Sequence, residues 1–164
     1  MRERSSTGLT DVTLLTHVTD GTSEVAVRRV DTPKGTRLEL EAIDTGHRLR
    51  LDAVTLECLT WQDKETFLSF VDRNDSQDSA GRVDVQRDSS GDNISNLTSV
   101  TNEFGHVDVG VYEDATSRWL QITAPKLGFT TRLNAAALES VVWQDRKTFT
   151  ELIRSRLEDS ITES

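Results

Sequence analysis

The chain has 164 residues, with 28 Asp and Glu against 19 Lys and Arg, giving a formal charge of −9 and a pI near 4.8. That length suits one ordinary domain or two very small ones, and no run of about 18 apolar residues is present to form a membrane-spanning helix. The single cysteine, Cys58, excludes an internal disulfide and any multi-cysteine metal site.

The first six residues, Met1 to Ser6, lack an apolar signal core, so a cytoplasmic protein is expected. Val12 to Val18 and Glu24 to Val30 read as the first two strands. A turn follows at Thr32-Pro-Lys-Gly35, where proline fixes φ and glycine admits positive φ. Arg37 to Ile43 alternates apolar and polar residues with period two, Asp44-Thr-Gly46 turns the chain, and His47 to Leu51 alternates again. Asp52 is a good N-cap ahead of Ala53-Val-Thr-Leu-Glu57, and Asp63 occupies a second cap position before Lys64 to Asp72. In that second helix Phe67, Phe70 and Val71 share one face.

Residues 73–95 are rich in Asp, Ser, Asn and Gly and read as a solvated linker, although Val83 and Val85 alternate with polar neighbours as a short strand would. Beyond it the pattern starts again. Between Val18 and Val71, 17 of 54 residues are identical to the residue 82 positions later, without a gap. Trp61-Gln-Asp63 meets Trp143-Gln-Asp145, Thr66-Phe67 meets Thr148-Phe149, and Gly46 meets Gly128. The expected fold is therefore α+β: two tandem copies of a four-stranded antiparallel sheet plus C-terminal helix, packed as a pseudo-two-fold pair. The first β4-α module covers 9–72, the acidic linker 73–95 and the second module 96–159. A module this small is marginally stable alone, which favours a joint core.

The basic residues are 15 Arg and only 4 Lys, and Asp (16) exceeds Glu (12). Acidic and small polar groups in place of Lys keep a surface hydrated where salt screens simple repulsion. A salt-adapted protein is expected. In molar salt the screening length falls to about 3 Å, so the charge of −9 does not itself exclude polyanionic partners.

The residues that bear chemistry are few. Trp61 and Trp143 sit at helix corners and are expected to fill the core, while Cys58 reads as a small buried residue. Glu57 and Glu139 could form a paired-carboxylate site only if the packing brought them together. His17, His47 and His106 fall at unrepeated positions with no H-x-x-x-H spacing, so no metal ligand set is expected. No two glycines stand at G-x-G or G-x-x-G spacing and no Gly-Lys-Ser/Thr occurs, which removes the common phosphate cradles. No G-x-S-x-G elbow is present either. No catalytic residue and no cofactor are expected. One face remains: Arg28, Arg37, Arg48 and Arg50 point outward from the first sheet, and Tyr112, Trp119 and Arg132 from the second. Arginine forks beside aromatic platforms are what single-stranded nucleic acid binding requires, whereas Glu39 and Glu41 on the same face favour cross-strand ion pairs.

Val100 to Val109, Trp119 to Phe129 and Leu133 to Asp145, with its Leu-Glu-x-x-x-Trp-Gln-Asp run, resemble a family of small uncharacterised proteins of halophilic archaea, some labelled dihydrodiol dehydrogenase. That label implies an NAD-dependent oxidation. The order of four strands then a helix, used twice, is also similar to the duplicated single-strand-binding modules of the PUR and PC4 type, an analogy of fold alone. The leading expectation is a non-enzymatic accessory or regulatory binding protein with a protein partner or self-association and no membrane. The alternatives are single-stranded nucleic acid binding on the outer sheet face and the oxidoreductase activity that the label implies.

Overall fold

The computed structural model describes residues 10–74, 82–86, 94–115, 117–145 and 147–154. It is an α+β fold with two antiparallel sheets. Strands β1 (Asp11–Thr19), β2 (Glu24–Thr32), β3 (Gly35–Ala42) and β4 (His47–Leu51) form the first sheet in sequence order. Helices α1 (Ala53–Thr60) and α2 (Lys64–Asn74) follow. The second sheet holds β5 (Val85–Gln86), β6 (Ile94–Thr101), β7 (His106–Glu113), β8 (Arg118–Ala124) and β9 (Phe129–Leu133), in the order β5-β9-β8-β7-β6. Helix α3 (Ala135–Val142) and a last helix, α4 over 147–154, complete the described chain. No described helix is long and apolar enough to cross a membrane. Of the stretch read as a linker, 75–81 and 87–93 lie outside the described residues; 82–86 contains β5, and Ile94 already opens β6.

Local rules account for these elements. Alternation along β3 sends Leu38, Leu40 and Ala42 into the core, with Glu39 and Glu41 on the other face. Asp52 Oδ1 accepts from Thr55 N at 2.9 Å and Asn134 Oδ1 from Ala137 N at 3.0 Å. Each cap is worth roughly 1 kcal/mol. Asp63 and Asp145 do the same for Thr66 N and Thr148 N, at 3.2 and 3.0 Å. Gly46 and Gly128 adopt φ of 75° and 77° and donate N–H to Ala42 O and Ala124 O, a conformation that a side chain would strain. Each outer strand is bulged, between Leu14 and Thr16 in β1 and between Asn96 and Thr98 in β6.

One core serves both sheets. Val25, Val27, Leu38 and Leu40 of the first belong to the same apolar cluster as Val107, Val109, Leu120 and Ile122 of the second. The helices cross over: α1 follows the first sheet but packs on β7, β8 and β9, while α3 packs on β2, β3 and β4. Leu56 and Leu59 of α1 and Leu138 and Val141 of α3 are fully buried in this arrangement. Each sheet thus owes part of its cover to the helix of the other half. The outer strands are also tied across: Arg118 donates to Thr16 Oγ1 and His17 O, and Arg29 to Thr98 Oγ1 at 2.6 Å.

Candidate functional site

The seven residues of the expected binding face separate into two groups on two sheets. On the first sheet, register pairs Glu39 with Arg28 and Arg50, and Glu41 with Arg48. Glu41 Oε1 lies 2.8 Å from Arg28 Nη1, and Glu39 Oε2 lies 3.0 Å from Arg50 Nε. Arg48 Nε sits 3.6 Å from Glu41 Oε2. Arg28 beside Glu41 holds that carboxyl below the usual carboxylate range, with help from Arg48. These three arginines neutralise two glutamates in a cross-strand ladder. Arg37 shares the face and makes no ion pair among the described residues.

On the second sheet, Arg132 stacks over the Tyr112 ring at 3.9 Å and donates from Nε to Gln121 Oε1 at 2.8 Å. Trp119 donates Nε1–H to Asp114 Oδ2. Trp119 is only 6% exposed and Arg132 only 3%, so neither presents a free surface for a base to stack on.

The remaining chemical candidates are dispersed. Glu57 accepts from His106 N at 3.0 Å, whereas Glu139 accepts from Ser23 Oγ at 3.5 Å. The two carboxylates serve strands in different sheets and form no pair. His17 bonds Glu24 at 2.6 Å, His106 bonds Asp108 at 3.1 Å, and His47 stacks on Trp143. Among the described residues no group of three His, Cys, Asp or Glu could hold a metal ion. Cys58 is buried as expected, and loss of solvation pushes its thiol up to about 11.

The tryptophan expectation is corrected. Trp143 is 40% exposed and Trp61 half-buried. Both sit at the C-caps of α3 and α1, where the helix ends before its apolar face can enclose the ring. Trp143 lies instead against the His47 ring, with centroids 4.1 Å apart.

A groove of about 240 Å³ opens beside β4. Leu49, Arg50 and Leu51 of β4 form one wall, and Val54 and Thr55 of α1 another. Phe149 and Ile153 of α4 supply apolar floor, and Arg37 stands at the rim. The groove therefore lies between elements from the two halves of the chain. At the corresponding place in the second sheet, 82 residues on, there is a strand. Val85 pairs with Leu133 and Gln86 with Arg132. Asn134 N donates to Asp84 O, Asn134 Oδ1 accepts from Asp84 N at 3.1 Å, and Asn134 Nδ2 donates to Arg82 O at 2.6 Å. Val83, 2% exposed, is buried by this segment. In the first sheet β4 has no strand beside it among the described residues.

Sequence reasoning singled out Arg37 and Arg50 but missed the groove they border. A signal existed in the mismatched pairs of the internal alignment. Leu49 stands against Thr131, Val54 and Thr55 against Ala136 and Ala137, and Arg37 against Trp119. These four mismatched pairs all include a residue that lines the groove.

A second concavity, about 530 Å³, lies along β6 between Arg29, Asn96 to Ser99 and Asp108. Arg29 there bonds Asp31 and Thr98, and Ser99 bonds Asp108 at 2.7 Å. No protein-family model matches the chain, and no curated protein matches it either.

Proposed function

We propose that the protein is a non-enzymatic, salt-adapted accessory binding protein that recognises a protein partner through the groove between β4, α1 and α4. In this reading the chain is a tandem duplication, modules 9–72 and 96–159, whose pseudo-two-fold packing is broken at one place to create the site. The observation that supports the reading is the difference between the two sheet edges. The edge that β5 covers in the second sheet is bare in the first among the described residues, and a groove with apolar floor and cationic rim lies beside it. Apolar concavities with a few directed polar groups are the usual form of a recognition site. The pairs His17–Glu24 and His106–Asp108 stand apart from the groove, and Glu57 and Glu139 are bonded elsewhere, so these groups do not converge on it. The glutamate ladder and the burial of Trp119 likewise lend no support to nucleic acid binding.

Photocrosslinking tests this. A benzophenone amino acid is placed at Thr55, in the groove, and as reference at the exposed Leu127. A discrete protein adduct formed from Thr55 and not from Leu127 is expected in cells. Identical adducts from both sites, or none from Thr55, would contradict the proposal.

A further inference from the structure

We infer, building on that reading, that the partner enters as an extended segment adding to β4 as a fifth strand, with apolar residues alternating with acidic ones. The molecule carries its own template for such a complex. Asn134 N bonds Asp84 O, so Asp84 turns its main chain toward β9 and Val85 turns away. Strand alternation then turns Gln86 toward β9, opposite Arg132. Val83 and Val85 face the core, and Asp84 and Gln86 face the side of Arg132.

Transposed by 82 positions, the same geometry sets an incoming strand against Leu51 and Arg50. Its apolar residues enter the groove over Leu49, Phe149 and Ile153. Its alternate residues meet Arg50 and Arg37 where the second sheet has Arg132 and Trp119. Arg50 is already paired with Glu39, but Arg37 makes no ion pair among the described residues, so this side calls for a carboxylate opposite Arg37. Main-chain bonds supply affinity in strand addition and the alternating pockets supply selectivity. One feature adds direction to the choice. Asn134 both donates to and accepts from its strand, whereas the carboxylate of Asp52 can only accept. An incoming strand must therefore offer Asp52 an N–H. The chain's own residues at the transposed position, Met1-Arg-Glu-Arg4, would set Arg4 opposite Arg50, a like-charge pair. A partner segment fits better.

The probe is an acetylated, amidated peptide of residues 81–88 of this chain carrying Gln86→Glu, titrated into the full-length protein and followed by amide chemical shifts. Saturable binding with shifts confined to β4, Val54, Thr55 and α4 is expected. Arg37→Glu should weaken it at least tenfold. N-methylation of the peptide at position 86, whose N–H faces the edge, should abolish binding, and N-methylation at position 85 should not. That pair leaves the protein unaltered and so is independent of any variant's folding. Absence of binding, equal effects of the two N-methyl peptides, or binding that appears only after deletion of residues 1–9 would each overturn strand addition by a partner. If the Thr55 adduct forms while the peptide fails, strand addition alone is wrong; if both fail, the groove is not a binding site.

Discussion

Asn134 and Asp52 cap helices that begin 82 residues apart, yet among the described residues only Asn134 is also bonded to an extended segment, through Arg82 O and Asp84 N. An amide can donate and accept at once; a carboxylate cannot. One O-for-N difference thus accompanies a filled edge in the second sheet and, among the described residues, an uncovered one in the first.

The two caps should differ in worth. Asp52→Ala removes one capping bond and is expected to cost about 1 kcal/mol. Asn134→Ala removes the cap and both bonds to the β5 segment, and is expected to cost about 2–3 kcal/mol. Asn134→Asp keeps the capping acceptor but sets a carboxylate oxygen against Arg82 O, and should fall between them. Urea unfolding midpoints at fixed salt measure all three; equal losses for the two alanine variants would show that the strand bonds contribute nothing.

Thr131 offers a stabilising change. It faces the core on β9, fully buried, and its Oγ1 has no hydrogen-bond partner. The corresponding residue of the first sheet is Leu49. An unsatisfied buried hydroxyl costs about 1–3 kcal/mol, so the nearly isosteric Thr131→Val should raise stability by about 1 kcal/mol. A chain of this size then melts roughly 2–4 °C higher. A lower melting temperature would show that the hydroxyl is satisfied.

Glu41 and Asp145 contribute to the acid response. Arg28 and Arg48 depress the first carboxyl, and hydrogen bonds from Thr148 depress the second. A carboxyl with a depressed folded-state pKa contributes its stability above the ordinary carboxylate range and loses it as pH falls through the folded value. Stability should therefore decline as the solution is taken from about pH 5 downward. Glu41→Gln should flatten part of that decline while leaving stability at pH 7 reduced. An unchanged acid limb would show that the ladder does not carry it.

Much of this architecture was legible in the residues. The alternation in Arg37–Ile43, the glycine turns at Gly46 and Gly128, and the caps Asp52, Asp63, Asn134 and Asp145 all appear where local chemistry places them. Such signals are local: each depends on a few neighbours along the chain. What escaped is long-range. The crossing of α1 and α3 onto opposite sheets depends on contacts between residues about 50 to 110 positions apart, which no period encodes. The exposure of Trp143 followed the same logic, since its position at a helix end is local but its partner His47 is not. Arg28, Arg48 and Arg50 share one face of the first sheet, and their pairing with Glu39 and Glu41 follows from register. Trp119 lies on the corresponding face of its sheet, yet it is buried where its counterpart Arg37 stands at the rim of an open groove.

Amide hydrogen exchange on the intact protein tests the difference between the two sheet edges most directly. Asn134 N donates to the strand beside β9 and, by strand alternation, Arg132 N points the same way; the 82-residue correspondence sets the amides of Arg50 and Asp52 toward the groove. Exchange at Arg50 and Asp52 should be at least tenfold faster than at Arg132 and Asn134. Equal protection at the two pairs would mean that β4 is already covered, and the proposed site would not exist.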